Sequence, residues 1–157
     1  MAGALRVIQA GSEEELKHVR ALRFQVFVRE QGFSASSEID AFDDSPSTKY
    51  YLGYVYGEPI ATARCVLLQT KDSHTKPHHV GKIGRFAVSP LHRRKGFGRQ
   101  LLQGMEALLE NEVDLFTLHA QYYAKEFYEK CGYTCVGAAF KEEGADHIKM
   151  QKRAFGT

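Results

Sequence analysis

One stretch of the chain, residues 82–102, constrains the fold more than any other. Ile83 and Val88 belong to an apolar run typical of a strand, and Pro90 would end that strand because proline cannot donate to a ladder. Further along, apolar residues recur at helical spacing and predict one buried helix face. These are Phe97, Leu101, Leu102, Met105, Leu108 and Leu109. The stretch therefore predicts a strand and a helix joined by a short basic loop.

The loop between this strand and this helix has the features of an anion site. Gly96 and Gly98 carry no Cβ, so phosphate oxygens can approach the backbone closely. The start of a helix also exposes free N–H groups and the positive end of the helix dipole. Four cations surround these donors, namely Arg93, Arg94, Lys95 and Arg99. The pattern predicts a phosphate-binding loop.

Two common nucleotide motifs do not fit this loop. A Walker A loop needs a glycine followed by lysine and then serine or threonine, which occurs at neither Gly96 nor Gly98. A dinucleotide fingerprint starting at Gly96 needs a third glycine where Leu101 stands, and the next strand ends at Gln121 without a ribose-binding acid. The sequence excludes both motifs.

The whole chain predicts elements in the order β-α-β-β-β-α-β-α-β-β. The first helix begins after Ser12 and ends near residues 30–32, while residues 33–48 read as loop or short irregular helix and residues 69–79 as loop. The expected fold is mixed α/β (α+β), with a largely antiparallel sheet of about six to seven strands flanked by helices. The two strands around the long helix must be parallel if they adjoin. We expect a single domain over residues 1–157.

Composition argues against several classes of protein. No apolar run approaches the roughly 18 residues of a membrane span. The net charge of +2 is too small for the broad basic face of a nucleic-acid binder. Cys65, Cys131 and Cys135 lack metal-ligand or disulfide spacing, which is typical of free thiols in a reducing compartment. We expect an intracellular, cytoplasmic protein with no metal, no nucleic acid and no membrane partner.

The ordered motifs resemble those of the GNAT superfamily of acyl-CoA-dependent N-acyltransferases. Arg-x-x-Gly-x-Gly at Arg93, Gly96 and Gly98 resembles the pyrophosphate loop of that family. The segment 121–133 is similar to a later family segment, with Gln121 where many relatives have Asn and with Tyr133 where Phe is usual. Upstream, residues 22–31 and 38–40 are similar to a small-enzyme subgroup that includes ElaA and YjcF. Together the matches extend from about Leu22 to Met150.

The resemblance implies transfer of an acetyl group from acetyl-CoA to a primary amine, by direct attack in a ternary complex. Tyr128 stands at the family position of the general acid, and the alternative is a core aromatic packed beside Phe127. The resemblance further implies three sets of cofactor contacts. These are the backbone of Phe86, Ala87 and Val88 for the pantetheine arm, the loop Arg93, Arg94, Lys95, Gly96, Phe97, Gly98 and Arg99 for the pyrophosphate, and Gln121.

The sequence leaves the general base and the acceptor open. Candidates for the base are Glu30, which could instead face the substrate, and Glu38, Asp40 and His119. The acidic cluster of Glu38, Asp40, Asp43 and Asp44 could attract a cationic substrate, although a solvated charge cluster is the commoner case. The acceptor is a small-molecule amine or a protein amine, and relatives often form homodimers.

Two rival functions stay open beside the enzyme. One is a module that binds CoA or acetyl-CoA as a ligand or sensor without catalysis. The other is a nucleic-acid binder that uses the basic run 92–99.

Overall fold

Seven strands form one sheet in the order β1-β2-β3-β4-β5-β7-β6. The strands are β1 (Arg6–Ala10), β2 (Thr48–Val55), β3 (Glu58–Thr70), β4 (His78–Val88), β5 (Leu115–Gln121), β6 (Thr134–Glu142) and β7 (Ala145–Arg153). β4 and β5 are parallel, whereas the other neighbouring pairs are antiparallel. This computed structural model describes residues 3–70 and 78–154. The middle of the predicted 69–79 loop, residues 71–77, lies outside the described residues.

The helices follow the predicted order and flank the sheet on both faces. They are α1 (Glu13–Arg23), a π-helix (Phe24–Glu30), α2 (Ala35–Glu38), α3 (Phe97–Leu108) and α4 (Lys125–Lys130), with short 3₁₀ turns at Ala41–Asp44, Pro90–His92 and Tyr122–Ala124. The predicted mixed α/β fold with a largely antiparallel sheet is confirmed. No helix within residues 3–70 and 78–154 has both the length and the apolar character needed to cross a membrane.

The first helix departs from its sequence pattern in the last two turns. The pattern predicts one α-helix up to residues 30–32, but the chain changes to a π-helix at Phe24. The widened turn is seen in the bond from the Gln31 N–H to the carbonyl of Val26, five residues earlier, at 3.0 Å. The π-helix ends at Glu30, which is held from outside the helix by Arg93. The spacing of apolar residues along a helix does not reveal such a long-range contact.

The sheet separates two apolar clusters. On one face, Val19 and Leu22 of α1 pack against Leu52. On the other face, α3 and α4 cover a larger core that includes Leu101, Met105 and Tyr133. Leu108, which the sequence places in the buried stripe of α3, is instead half exposed, because it lies on the flank of that stripe in the last turn.

A buried carboxylate completes the core beside α4. Glu106 on α3 is 1% exposed and accepts hydrogen bonds from the Tyr133 hydroxyl at 2.7 Å and from Lys152 Nζ at 2.9 Å. A buried charge is tolerated only when it is paired and hydrogen-bonded. The tyrosine at position 133, where phenylalanine is usual in the resembling family, therefore has a structural role.

Helix α3 approaches β1 closely at Gly104. A Cβ atom on Gly104 would lie 2.6 Å from Val7 Cγ2 and 2.7 Å from Val7 Cβ. The Val7 Cβ is fixed to the backbone, so this contact could be relieved only by moving the helix away from the strand. The absence of a side chain at residue 104 therefore sets the spacing between α3 and the sheet.

We expect Gly104→Ala to lower stability, although alanine favours a helix by about 1 kcal/mol over glycine. Overpacking should outweigh that gain and leave a net loss on the order of 1–2 kcal/mol in the free energy of unfolding, measured by urea denaturation. Gly11→Ala is the control, because a Cβ there meets nothing within 4 Å. Equal stability of the two variants would contradict the close approach.

Candidate functional site

The pairing of β4 with β5 stops in the middle of the sheet. Their last paired residues are Ile83 and Leu118, although β4 continues to Val88 and β5 to Gln121. Beyond this point β4 still pairs with β3, and β5 still pairs with β7. The two facing edges, residues 84–88 and 119–121, therefore diverge and leave a gap between adjacent strands.

A β-bulge in β4 lies at the apex of this gap. The β3–β4 register shifts between Thr62 and Arg64, so that Arg85 and Phe86 together oppose Ala63. Arg85 has a positive φ of 49°, a backbone conformation that non-glycine residues adopt rarely. Bulges bend a strand and increase its twist. The bulge thus turns the end of β4 away from β5.

The backbone direction along β4 distinguishes the three residues expected to bind the pantetheine arm. Ser89 N–H donates to the Ile60 carbonyl of β3 at 2.8 Å, and Ala87 lies opposite Thr62. Alternation along an antiparallel pair then directs the backbone groups of Ala87 toward β3 and those of Val88 toward the gap. This alternation argues against Ala87 as a backbone partner of the arm. Phe86 lies within the bulge.

The glycine loop lies at the end of β4, where α3 begins. Gly96 has φ +83° as the residue before α3, and no side chain caps the helix. Arg94 also has a positive φ, of 61°. Within the described chain, no hydrogen bond is formed by the N–H groups of residues 94–99. These donors are therefore available to an anion, as the motif predicts.

The two glycines of the loop meet different surroundings. A Cβ on Gly96 would meet nothing within 4 Å, so the space above it is open. A Cβ on Gly98 would lie 3.2 Å from Phe127 Cζ and 3.6 Å from Phe86. Gly98 therefore allows the start of α3 to pack on the aromatic rings below the gap, whereas Gly96 leaves room for a ligand.

Arg93 is already engaged by protein groups. Its Nη1 and Nη2 donate to the two carboxylate oxygens of Glu30 at 2.5 and 2.6 Å, and its Nε donates to the Val88 carbonyl at 3.0 Å. Arg94, Lys95 and Arg99 are exposed around the loop. The side chain of Arg93 thus fixes the loop against the π-helix, and the other three cations are better placed for an anion.

Tyr128 lies below the gap in an aromatic group. Its ring centroid is 5.0 Å from that of Phe127 and 6.0 Å from those of Phe86 and Tyr133. Burial, followed by the neighbouring Tyr123, raises the pKa of the Tyr128 phenol above its usual value. The hydroxyl has no hydrogen-bond partner among the residues that the structure describes. Tyr128 is thus a packed aromatic ring, and its role as the general acid stays a prediction.

A network of buried charges connects α1 to the loop before β2. Arg23 is 4% exposed and donates to Glu38 through Nε, and to both Asp43 oxygens at 2.8 and 3.0 Å. Burial alone would raise the pKa of Asp43, but the hydrogen bonds from Arg23, the Asp40 N–H and Tyr50 lower it well below its usual range. Asp43 is therefore held in its charged form.

The same network reaches the bulge of β4. Arg64 on β3 donates to both oxygens of Asp40 at 2.6 and 2.7 Å. Arg85 donates to the Glu38 carbonyl at 3.0 Å and to Asp40 at 3.2 Å. Burial, and then the charge of Arg64, lower the pKa of Arg85. Three guanidinium groups and three carboxylates thus tie α1, β3 and β4 together near the apex of the gap.

These contacts change the interpretation of the acidic segment. The sequence favours a solvated cluster, and this is wrong for Glu38 and Asp43, which are enclosed by arginines from distant parts of the chain. The candidate bases Glu30, Glu38 and Asp40 each accept hydrogen bonds from an arginine. The bond from Arg93 lowers the pKa of Glu30, and Arg64 lowers that of Asp40 although burial opposes it. Glu30 and Asp40 are therefore poorly suited to accept a proton, and the Glu38 side chain is already engaged by Arg23.

His119 is the fourth candidate base, and it lies on β5 at the gap. Its Nδ1 is 3.1 Å from Glu142 Oε1, and its ring meets Phe140 edge-on with centroids 5.0 Å apart. The β6–β7 hairpin supplies Glu142, Phe140 and His147. Sequence reasoning missed these three, because hairpin register decides which side chains face β5 and the β6–β7 register shifts between Val136 and Phe140.

Gln121 ends β5 on the same side as His119. Its Nε2 donates to Gln31 Oε1 at 3.2 Å, just after the π-helix. The side-chain amide thus bridges β5 to the segment that follows α1. Its expected cofactor contact would have to replace or share this hydrogen bond.

A cavity of about 810 Å³ lies on the outer side of the buried charges, between α1, the π-helix and residues 35–50. Phe24, Val28 and Ile39 contribute to its wall together with Arg23 and Glu38. None of its lining residues belongs to β4, β5 or the glycine loop. This cavity is therefore separate from the gap.

Comparisons with known proteins agree with this arrangement. The sequence profile described as an acetyltransferase (GNAT) domain matches residues 45–154. The N-acetyltransferase YjcF of Bacillus subtilis is 30% identical over 150 residues, which cover 94% of this chain and 99% of YjcF. ElaA of Escherichia coli is 30% identical over 143 residues, covering 90% of this chain and 89% of ElaA.

Solved structures agree over nearly the whole chain. The crystal structure of Escherichia coli ElaA has a TM-score of 0.75 at 28% identity and covers 98% of this chain and 100% of its own. An acyl-CoA N-acyltransferase from Pseudomonas aeruginosa has a TM-score of 0.73 at 25% identity, with coverages of 95% and 99%. The resemblance to the subgroup of ElaA and YjcF is thereby confirmed, and the chain belongs to the GNAT family of acetyltransferases.

Proposed function

We propose that this acyltransferase moves the acetyl group of acetyl-CoA to a primary amine, by direct attack in a ternary complex. One observation carries the proposal. The unpaired edge of β4 leads from an uncapped helix start with free N–H groups to the ring of Tyr128, whose hydroxyl has no partner among the described residues. An elongated ligand with a phosphate at one end and a reactive thioester at the other fits this path.

The expected binding mode follows from the free backbone groups. The pantetheine arm carries amides and would pair with the exposed edge of β4 at the Val88 N–H, as an added strand does, because the Val88 carbonyl already accepts from Arg93 Nε. The pyrophosphate would accept hydrogen bonds from the N–H groups of residues 94–99, over the open space at Gly96. The exposed cations Arg94, Lys95 and Arg99 would balance its charge.

The reaction requires two proton transfers. An aliphatic ammonium has a pKa of about 10.4, so presenting the free amine at neutral pH costs roughly 4.6 kcal/mol. A base near the acceptor would remove this proton. After attack on the thioester carbonyl, the C–S bond breaks and leaves a thiolate whose conjugate thiol has a pKa of about 8.5 in water. A positioned acid would return a proton to the sulfur.

We assign the acid role to Tyr128. Its raised pKa keeps the phenol protonated at neutral pH, so a proton is always available. A raised pKa also makes the phenol a weaker acid, but the same apolar surroundings raise the pKa of a thiol bound beside it. The difference between the two groups then stays small enough for transfer within a hydrogen bond.

The acceptor is an amine on a small molecule or on a protein. Acceptor pockets are built by loops that vary within a fold, so the family does not choose between them. A panel containing an amino sugar, a polyamine, an amino acid, a drug-like amine and a lysine peptide covers the chemical range. Products that depend on acetyl-CoA would identify the class.

Two measurements separate the enzyme from its rivals. We expect acetyl-CoA to raise the melting temperature, because a ligand that binds only the folded state stabilises it. We expect DNA and RNA to leave the melting temperature unchanged, since Arg93 of the basic run is paired with Glu30. Thiol release across the amine panel then tests catalysis, and acetyl-CoA binding without amine-dependent release would indicate a sensor.

Gly96→Val tests the position of the pyrophosphate. The new side chain would fill the open space above the loop, and we expect acetyl-CoA to bind at least about tenfold more weakly by calorimetry. Gly57→Val in the β2–β3 turn is a matched control, since Gly57 has φ +79° and also meets nothing within 4 Å. Both variants should lose similar stability. Normal affinity in Gly96→Val would exclude the loop as the cofactor site.

Tyr128→Phe tests the general acid. Removing an unpaired hydroxyl should not lower the melting temperature, while turnover should fall by about a hundredfold at unchanged acetyl-CoA affinity. Tyr51→Phe is the control, because Tyr51 is fully buried and its hydroxyl also has no partner. Turnover in Tyr51→Phe should equal that of the wild type. If Tyr128→Phe also keeps full turnover, the phenol is not the acid.

A further inference from the structure

We propose that His119 is the general base that deprotonates the acceptor, and that Glu142 positions it. This inference rests on the proposed acetyl transfer and adds to it a class of acceptor, an aliphatic amine that arrives as an ammonium ion. It draws on the β6–β7 hairpin, from which the sequence singled out no site residue.

His119 lies at the point where the pairing of β4 with β5 ends. His119 is the residue directly after Leu118, the last residue of β5 that pairs with β4. Leu118 and Ala120 are buried in the core below α3 and α4. Side chains alternate along a strand, so His119 projects from the opposite face of the sheet. The imidazole therefore lies at the apex of the gap, across the sheet from Tyr128.

The imidazole of His119 is hydrogen-bonded through Nδ1 to Glu142. Glu142 Oε1 lies 3.1 Å from Nδ1, and an ionised carboxylate can only accept a hydrogen bond, so Nδ1 carries the hydrogen and donates it. Nε2 then holds a lone pair, and within the described residues it has no partner. The side chain of His119 is 28% exposed, so an amine substrate can reach the ring. A fixed tautomer with a free, accessible nitrogen is what a general base requires.

A second histidine lies on the other side of Glu142. His147 is buried, donates from Nδ1 to the Ala145 carbonyl at 2.9 Å, and has its Nε2 3.8 Å from Glu142 Oε2. Phe140 stacks on His147 at 27° and meets His119 edge-on. The carboxylate thus lies between two imidazoles whose rings are spaced by one aromatic side chain.

The alternatives are weaker on the same criteria. Glu30, Glu38 and Asp40 are each hydrogen-bonded to an arginine, as described above. A guanidinium stabilises the charged carboxylate and so reduces its tendency to take a proton. His119 is hydrogen-bonded to the Glu142 carboxylate instead, and its side chain is partly exposed.

The proton balance is complete with these groups. His119 Nε2 takes one proton from the ammonium, and the free amine attacks the thioester carbonyl to form the C–N bond. The C–S bond breaks, the thiolate takes the Tyr128 proton, and the nitrogen loses its second proton to restore the phenol. His119 releases the first proton to solvent. The products are the amide, the thiol and one proton.

The test compares two nucleophiles that differ in protonation. The probes are the aliphatic amine that the panel finds fastest, which is protonated at neutral pH, and hydroxylamine, which is not. We expect His119→Gln to reduce kcat/KM for the aliphatic amine by about a hundredfold or more, and to change that for hydroxylamine only a few fold. Glu142→Gln should show the same selectivity with a smaller loss, and acetyl-CoA affinity should stay unchanged in both.

Controls separate a catalytic role from a structural one. His18→Gln removes another surface histidine that faces a glutamate, Glu14 at 4.0 Å, and should leave both nucleophiles unaffected. Added imidazole should restore turnover to His119→Ala with the aliphatic amine. Glu142 is exposed, so its variant tests the proposal even if the histidine variant folds poorly.

The outcomes distinguish a failure of the proposed acetyl transfer from a failure of the base assignment alone. If the wild type releases no thiol with any amine, the proposed acetyl transfer fails and the role of His119 falls with it. If the wild type is active and His119→Gln slows both nucleophiles equally or neither, only the base assignment is overturned.

Discussion

The end of β4–β5 pairing at Ile83 and Leu118 is the constraint on which the rest of the site depends. A sheet that stayed paired to Val88 would offer no free backbone edge and no opening between its faces. The divergence is possible because each strand keeps an outer partner, β3 for β4 and β7 for β5. Backbone groups exposed by the divergence must find partners elsewhere, and a bound ligand can supply them.

The buried charges are best understood as the support of this divergence. Bringing three arginines and three carboxylates out of water is expensive, and such networks often add little net stability over an apolar core. Their geometry is specific, however, because Arg64 on β3 and Arg85 within the β4 bulge share Asp40. The network therefore fixes the bulge to the segment after α1, and we infer that it contributes precision at the apex of the gap more than stability.

Much of the fold could be predicted from the sequence, and so could the position of the glycine loop at the start of α3, because both depend on local patterns. Residues that are close together in the sequence indicate the apolar stripe of α3, the glycines of the loop and the order of strands. Contacts between distant residues were not predictable in this way. The pairing of Arg93 with Glu30 and that of His119 with Glu142 depend on how helices and hairpins come together. From the sequence alone, the Glu38 carboxylate is expected to be solvated. In the structure, Arg23 and Arg85 lie beside it.

The gap also explains why an acid and a base would be needed on opposite faces of one sheet. In the proposed complex, a thioester lying between the diverging strands would present its sulfur to one face and its carbonyl to attack from the other. Tyr128, enclosed by aromatic rings below the sheet, would then give its proton to the thiolate. His119 is partly exposed beside an exposed carboxylate and would pass its proton to solvent after each turnover. The two environments differ because one face is covered by α3 and α4, while on the other face His119 borders the β6–β7 hairpin and stays partly exposed.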